Sequence, residues 1–273
     1  MKTIDFECVF IYYLIINYKG VTGLLTAERH QIILDSLSKQ GVVDLQALVT
    51  LTGSSESTIR RDLVNLENQG LLKRIHGGAT LPYSKVEEPN LQDKSEKKLK
   101  EKQEIAKYAA SLIRDGECIY LDAGSTVAQM MPYLTEKKIV VVTNGFMHID
   151  HLTSAGITTY FLGGLIKPNT RAVVGSVAQE SLKRYRFDRC FLGINGVDLA
   201  FGYTTPDPEE GILKNIASRM SEKTYILADS SKFGETFFSQ VADIEEATII
   251  TDLQEAKLLD QYREKTDVKV VTT

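Results

Sequence analysis

The chain has 273 residues, of which 43% are hydrophobic and 25% charged, and its formal net charge is −4. This balance is typical of a folded globular protein, so it excludes global disorder and a uniformly basic nucleic-acid coat but permits a local basic patch. The three cysteines, at positions 8, 118 and 190, form no CxxC or Cys/His cluster. We therefore expect no disulfide scaffold, no metal and no cofactor, and a reducing cytoplasm as the compartment.

Residues 1–23 form an apolar N-terminal extension. Its uninterrupted apolar run, from Val9 to Ile16, is eight residues long, whereas a membrane span needs about 20. Asp5 and Glu7 stand where a signal peptide would carry positive charge. A membrane or targeting role is therefore disfavoured, and two interpretations remain: a loosely packed appended segment, or an over-long gene start.

The region 24–80 has the pattern of three short helices followed by a glycine turn. Apolar residues recur at helical spacing in each of the three segments, and Asp44 stands at the N-cap of the second. The segment LLKRIHGGATL is too short and too rich in glycine for another helix. We expect it to form a β-hairpin that turns at Gly77-Gly78.

The third segment, SESTIRRDLVNLENQG, is predicted to be a helix with Ser55 as its N-cap. Ile59, Leu63 and Leu66 recur at i, i+4 and i+7 and form one buried stripe. The stripe leaves four side chains facing away from the core: Ser57, Thr58, Arg60 and Arg61. From this helix alone, a solvated amphipathic surface helix is an equally good interpretation.

Three helices and a hairpin in under 60 residues are typical of a winged helix-turn-helix. In that motif the later helix enters the major groove of double-stranded DNA with its N-terminal residues at the base edges. Arginine is the commonest bidentate partner of guanine, and serine and threonine commonly contact phosphates. Four of the six cationic residues in this region lie in the third helix and the wing, so the pattern favours DNA binding.

Residues 81–95 have two prolines, mixed charge and little periodicity, and are predicted to be a linker. From residue 96 onward a helix and then seven apolar, β-branched runs alternate with helical stretches. The runs are CIYLDAGS, KIVVVTNG, TTYFLGG, RCFLGING, TYILADSS, ATIITD and VKVVTT. Such runs predict an α/β domain at 96–273, with a parallel sheet covered on both faces.

Polar and glycine-rich residues follow the predicted strands, where ligands bind in open parallel sheets. A small phosphorylated or acidic molecule is the expected ligand, because hydroxyls and backbone N–H groups bind anions and Lys232 supplies a counter-charge. Taken singly, each cluster also fits a helix cap or a tight turn. The candidate effector-binding residues are Asp122, Gly124, Ser125, Thr126, Thr143, Asn144, Gly163, Gly164, Asp198, Glu210 and Lys232.

These motifs resemble the DeoR family of bacterial transcriptional regulators. The DNA-binding signature is matched by Arg29, Ile33, Leu37, Ser55, Thr58, Ile59, Arg60, Arg61, Asp62 and Leu63. The resemblance continues through LENQGLLKRIHGGA in the wing and through LDAGST, VVTNG, FDRCFLGINGVD, TTPDPEE and LADSSKFG in the later domain. Ser54 and Gly211 depart from the family pattern.

The resemblance implies a repressor of a sugar-utilisation operon, with a sugar phosphate as effector and a C-terminal fold like that of the sugar-phosphate isomerases. It also implies that Asp62 orients a neighbouring arginine, with Arg29 as the candidate. The implied DNA-binding residues are Ser55, Ser57, Thr58, Arg60, Arg61, Lys73, Arg74 and His76.

An enzyme is the competing interpretation, because Asp198, Glu210 and Lys214 lie in a stretch that resembles the acid/base region of those isomerases. The fused DNA-binding region favours sensing over catalysis. We expect a homo-oligomer, a dimer or a tetramer, joined through the C-terminal domain. The sign of regulation stays open, since an activator differs from a repressor in where its operator lies.

Overall fold

The computed structural model describes residues 24–75, 77–81 and 90–272. The predictions for residues 1–23 and for His76 lie outside this part of the chain. The protein divides into two compact units, Met1–Ser84 and Lys85–Thr273, so the boundary falls inside the predicted linker. Among the described helices, none has both the length and the apolarity needed to cross a bilayer.

The N-terminal unit is a winged helix-turn-helix. Its elements are α1 (Thr26–Gln40), β1 (Val42–Asp44), α2 (Leu45–Thr52), α3 (Glu56–Asn68), β2 (Lys73–Ile75) and β3 (Gly78–Thr80). The three predicted helices and the hairpin are all present, but the predicted turn at Gly77-Gly78 is placed too late, because Gly78 is the first residue of β3 and pairs with Ile75. The Asp44 carboxylate accepts hydrogen bonds from the backbone N–H groups of Gln46 and Ala47, so it caps α2 as its position predicts.

One strand of this unit, β1, was not predicted from the sequence. β1 has only three residues, and it pairs antiparallel with β3 to make a three-stranded sheet in the order β1-β3-β2. A run this short has too few positions to show a period of two. The core beneath the sheet joins the three helices and the wing. Its buried residues are Ile33, Leu37, Val43, Leu45, Leu48, Ile59, Leu63, Leu66, Leu72 and Ala79.

The C-terminal unit is an α/β domain. Its helices are α4 (Leu91–Glu96), α5 (Leu99–Ser111), α6 (Ser125–Ala128), α7 (Ile149–Ser154), α8 (Ser176–Leu182), α9 (Pro208–Arg219) and α10 (Ala256–Arg263). Its strands are β4 (Cys118–Leu121), β5 (Val140–Thr143), β6 (Thr158–Phe161), β7 (Leu165–Ile166), β8 (Val173–Val174), β9 (Phe187–Gly193), β10 (Gly196–Asp198), β11 (Gly202–Thr205), β12 (Ser221–Leu227), β13 (Ser239–Ala242), β14 (Thr248–Thr251) and β15 (Val268–Val270).

Seven of these strands form one parallel sheet in the order β15-β14-β12-β9-β4-β5-β6. They are the seven apolar runs of the sequence, so the predicted parallel sheet is confirmed. Successive strand residues point to opposite faces, and both faces are buried except along the edge strand β6, whose residues are exposed or half-buried. Ile119 and Leu121 of β4 join one hydrophobic cluster, whereas Tyr120 joins the cluster on the other face.

Two small antiparallel sheets were not predicted. β10, β11 and β13 form one, and β7 and β8 form a hairpin. Their strands have two to four residues, and glycine or polar residues interrupt the apolar pattern. Their strand state therefore depends on pairing with partners that local sequence does not identify.

The structure also differs from the predicted linker at its C-terminal end. Leu91–Glu96 is the helix α4, capped by the Asn90 side chain, which accepts from the backbone N–H of Asp93 at 2.8 Å. Leu91 donates its backbone N–H to the carbonyl of Asn169 at 2.9 Å. A helix of this length is too short to be stable alone, so tertiary contacts stabilise it.

Candidate functional site

The exposed side of α3 is built as its sequence predicts. Ser55 accepts a hydrogen bond from the backbone N–H of Thr58 at 3.3 Å and so begins the helix. Ile59, Leu63 and Leu66 are at most 3% exposed. The helix therefore turns its other side outward, where Ser55, Ser57, Arg60 and Arg61 are exposed and Thr58 is half-buried.

The helix and the wing enclose a shallow groove lined by Arg60, Arg61 and Arg74, together with Asn65 and Ile75. The structure thus brings three of the predicted DNA-binding residues together from two elements. Lys73 lies next to Arg74 on β2 and is half-buried. Arginines around a groove between helix and wing match the way a winged helix-turn-helix meets the DNA backbone and base edges.

Two of the groove arginines already pair with acidic residues. Arg60 contacts Glu56 one turn earlier at 2.6 Å, and its hydrogen bond holds the pKa of that carboxyl below the usual value. Arg74 contacts Glu67 at 2.5 Å. The Arg60–Glu56 pair is exposed to solvent, so its free energy is small and Arg60 can exchange Glu56 for DNA at little cost.

Asp62 lies on the same helix but is only 3% exposed. Its carboxylate accepts from Arg29 Nε at 2.7 Å and from Arg29 Nη2 at 3.1 Å, in a bidentate pair that joins α3 to α1. His30 Nε2 lies 3.2 Å from the same carboxylate. The predicted partnership of Asp62 and Arg29 is therefore present, and its role is to position the helix rather than to meet DNA.

The C-terminal unit holds a cavity at the ends of β4 and β9. α4 and α5 contribute Leu91, Lys94 and Lys102, and the loop after β4 together with the start of α6 contributes residues 123–126. Its lining residues are Leu91, Lys94, Lys102, Ala123, Gly124, Ser125, Thr126, Thr170, Gly193, Ile194, Asn195, Glu210, Lys214 and Lys232. It lies outside the carboxyl ends of parallel strands, where this class of sheet binds ligands.

Asp122 lies beneath this cavity and hydrogen-bonds to three of the residues that line it. Its Oδ2 accepts from the backbone N–H of Gly124 at 3.2 Å and of Gly193 at 3.1 Å, and from Lys214 Nζ at 2.6 Å. A Cβ added to Gly124 would lie 3.0 Å from the Gly193 Cα, so the two strand ends meet closely. Asp122 therefore positions cavity residues, and its own side chain is 1% exposed.

Glu210 supplies the acidic side of the cavity. It accepts from Thr170 Oγ1 at 2.8 Å and from Lys167 Nζ at 3.1 Å. Burial opposes its ionisation, but Lys214, Lys167 and the Thr170 hydroxyl outweigh burial and hold the pKa of the Glu210 carboxyl below its usual value. An ionised, partly satisfied carboxylate beside lysines is suited to accept hydrogen bonds from ligand hydroxyls.

Lys102 was not among the predicted residues. Its ammonium donates to the backbone carbonyl of Lys94 and to Ser125 Oγ, the latter at 3.2 Å. Burial lowers the pKa of Lys102 to about 8, with neighbouring Lys232, Lys94 and Lys97 acting in the same direction and Asp229 opposing them. At neutral pH the group is charged and favours an anionic partner.

The sequence does contain a pattern that indicates a buried, functional Lys102. It precedes Ile105, Ala106 and Ala109 by three, four and seven residues, so it belongs to the apolar stripe of α5. A lysine inside a buried stripe needs a polar partner. Thr170 had no comparable signal as a ligand residue, because only the folding of distant segments brings it to this cavity. Lys214 was singled out in the sequence only as an acid/base candidate of the enzyme interpretation.

Six of the eleven predicted effector-binding residues do not line the cavity: Asp122, which lies beneath it, and Thr143, Asn144, Gly163, Gly164 and Asp198. Thr143 donates to the carbonyl of Leu121 at 2.6 Å, and Asn144 bonds to the backbone of Ala123 and Val173, so both join strand ends. Asp198 accepts from the backbone N–H groups of the turn after β10 and holds that turn. Of the three acid/base candidates, Glu210 and Lys214 line the cavity and Asp198 does not.

The strand order places Gly163 and Gly164 away from the cavity. They follow β6, the edge strand, which is two strands from β4. Neighbouring strands lie about 4.8 Å apart, which puts this end roughly 10 Å from the cavity in the sheet plane. The carboxyl ends of the parallel strands lie along one edge of the sheet, as expected. That edge is longer than one small-molecule site, so not all of the polar strand ends reach the cavity.

Fold and site together define a two-unit regulator, with a winged helix-turn-helix for DNA and an α/β unit that carries a polar cavity. The DeoR-like helix-turn-helix domain matches residues 29–85, and the DeoR C terminal sensor domain matches residues 97–253. The chain belongs to the DeoR family of transcriptional regulators, which confirms the resemblance found in the sequence.

Relatives support this assignment over most of the chain. The HTH-type transcriptional regulator FruR of Bacillus subtilis is 51% identical over 249 residues, covering 91% of this chain and 99% of that protein. The HTH-type transcriptional repressor GlcR of Bacillus subtilis is 35% identical, over 82% of this chain and 88% of its own. The lactose phosphotransferase system repressor of Staphylococcus epidermidis is 32% identical, over 84% and 94%.

Among solved structures, ribose 5-phosphate isomerase A from Neisseria gonorrhoeae is similar with a TM-score of 0.36 and 20% sequence identity. The match covers 48% of this chain and 52% of that one.

Proposed function

We propose that this protein represses genes of sugar utilisation and that a phosphorylated sugar, bound in the C-terminal cavity, relieves the repression. The observation that carries the proposal is the cavity itself, where four lysines and one glutamate line one space beside three hydroxyl residues. The lysine ammonium groups pair with the phosphate. The Glu210 carboxylate accepts hydrogen bonds from sugar hydroxyls, and Thr170 and Asn195 can both accept and donate them. Two repressors among the relatives, GlcR and the lactose phosphotransferase system repressor, agree with repression as the sign of regulation.

The DNA-binding step rests on α3 and the wing. Homo-oligomers joined through the C-terminal unit would place two α3 helices on two operator half-sites. The effector would bind the DNA-free and DNA-bound states with different affinity, which is the thermodynamic requirement for control.

The test measures operator binding by fluorescence anisotropy, with and without a panel of sugar phosphates. Arg61→Ala should weaken operator binding by about 1–3 kcal/mol if Arg61 makes a bidentate guanine contact. Unchanged operator affinity in a folded Arg61→Ala protein would contradict that contact.

Lys232→Ala and Thr126→Ala test the effector step. Both residues line the cavity, so each variant should keep wild-type operator affinity and respond only weakly to the sugar phosphate. A full response in both variants would place the effector elsewhere. Turnover of a sugar phosphate by the purified protein would instead support the enzyme interpretation.

A further inference from the structure

α4 is the first described element after the DNA-binding unit in the chain, and it is also a wall of the cavity. Leu91 and Lys94, both half-buried, line the cavity from this helix. A ligand in the cavity therefore contacts α4. Residues 82–90 connect α4 in sequence to the winged helix-turn-helix.

The contacts that hold α4 in place are made by cavity residues or their neighbours. Lys102 donates to the backbone carbonyl of Lys94 in α4 and also to Ser125 Oγ, and both Lys102 and Ser125 line the cavity. At the start of the helix, the backbone N–H of Leu91 donates to the carbonyl of Asn169, next to the cavity residue Thr170. Docking of α4 and binding of a ligand thus use the same groups.

Lys102 is the centre of this arrangement. An ammonium group has three donors, of which two are used for the α4 carbonyl and for Ser125, so the third is available to an anion in the cavity. An anion also lowers the electrostatic cost of gathering Lys94, Lys102 and Lys232 around one space. Occupancy of the cavity therefore favours the docked position of α4.

We propose that α4 is the element that reports occupancy of the cavity to the DNA-binding unit, with Lys102 as its positioning residue. The proposal rests on the proposed function for the identity of the ligand. Because coupling is reciprocal, an anion that stabilises docked α4 is itself bound more tightly when α4 is docked. A change in the docking of α4 then moves the point from which the chain runs back to the DNA-binding unit.

The experiment compares Lys102→Met with Lys232→Met in the full-length protein. Both substitutions remove the ammonium of a cavity lysine, but of these two lysines it is Lys102 that donates a hydrogen bond to α4. Amide hydrogen exchange of residues 90–97 and operator affinity are measured without ligand, with inorganic phosphate and with glucose 6-phosphate. Circular dichroism verifies that each variant is folded.

In the wild-type protein we expect ligand to slow exchange in residues 90–97. Lys102→Met should speed this exchange about tenfold without ligand, as loss of one charge-assisted hydrogen bond requires, and should change ligand-free operator affinity. Lys232→Met should weaken ligand binding without speeding ligand-free exchange in α4, because it removes a charge that repels Lys102 and keeps both hydrogen bonds of Lys102.

The outcomes separate this proposal from the proposed effector. If a sugar phosphate protects cavity amides while exchange in α4 stays the same, or if both variants affect α4 equally, α4 is not the reporting element. If no sugar phosphate binds, but Lys102→Met alone speeds exchange in α4 and changes operator affinity, the proposed effector is wrong and the role of α4 stands.

Discussion

Asp62 and Arg60 lie two residues apart on α3, and their surroundings give them different roles. Asp62 is buried against Arg29, whereas Arg60 is exposed and pairs with Glu56. A buried charge that loses its partner is costly, because water cannot replace the partner. An exposed pair contributes little to stability, because solvent screens it.

Asp62→Ala is therefore expected to lower the free energy of unfolding of the N-terminal unit by about 3 kcal/mol. The substitution leaves the Arg29 guanidinium, whose side chain is 11% exposed, without its carboxylate. Urea denaturation followed by circular dichroism measures the change. Arg60→Ala is the matched control, with an expected loss of stability below about 1 kcal/mol. Equal stability losses in the two variants would contradict the assigned roles.

Lys102 predicts a pH dependence of effector binding. Its pKa of about 8 means that the ammonium, present at pH 7, is mostly lost at pH 9. A phosphate monoester keeps its full charge over this range, since its second pKa is about 6. Affinity for a sugar phosphate should therefore fall as pH rises through 8, by about tenfold between pH 7 and 9 if only the ammonium binds.

Isothermal titration calorimetry at a series of pH values measures this effect. Lys102→Met is the control, because its affinity should be lower at pH 7 and should change little up to pH 9. Burial is the main cause of the lowered pKa of Lys102; the charged neighbours are Asp229, which raises it, and Lys232, Lys94 and Lys97, which lower it further. A wild-type affinity that stays constant across the range would exclude Lys102 from anion binding.

The wing illustrates how an element depends on one small residue. Gly78 in β3 pairs with Asp44 in β1, and a Cβ on Gly78 would lie 2.0 Å from the carbonyl oxygen of Val43. The backbones of the two strands therefore approach more closely than any side chain permits. Since β3 also pairs with β2, the position of Arg74 depends on this contact.

Gly78→Ala is expected to destabilise the N-terminal unit by about 2 kcal/mol, since strand β1 must move away. It should also weaken operator binding, because the wing shifts with β3. Gly53→Ala is the control: its φ of +63° is unfavourable for alanine, but nothing lies within 4 Å of the added Cβ. The control should cost about 1 kcal/mol and leave the wing in place. Comparable losses of operator affinity in both variants would contradict the role of the close contact.

At the scale of the whole molecule, the described residues of the two units form separate hydrophobic cores. The core of the winged helix-turn-helix shares no residue with the two clusters that cover the faces of the parallel sheet. Each unit buries its own apolar surface, so each has a stability of its own that ligands can change.

A sugar phosphate at 100 times its dissociation constant should therefore raise the free energy of unfolding of the C-terminal unit by about 2.7 kcal/mol. Operator DNA should act on the N-terminal unit instead. Differential scanning calorimetry distinguishes the two transitions. Lys232→Ala should abolish most of the shift caused by the sugar phosphate while keeping the shift caused by DNA. A sugar phosphate that stabilised only the N-terminal unit would contradict the proposed site.

Local sequence determined the elements with strong periodicity. The stripe of Ile59, Leu63 and Leu66 predicted α3 and its exposed arginines, and the seven β-branched runs predicted the parallel sheet. These patterns are readable because burial of one face or of both faces imposes a period on neighbouring residues. β1 and α4 were missed because three and six residues are too few to carry such a period.

The composition of the cavity was decided only by tertiary structure. Strand order puts β4 beside β9 and sends β6 to the edge, which brings Gly124 to Gly193 and moves Gly163 and Gly164 away. The same packing brings Lys214 from α9 to Asp122, 92 positions apart in sequence. Local propensity specifies that a segment is a strand or a helix, but which segments become neighbours depends on burying all of their apolar faces together.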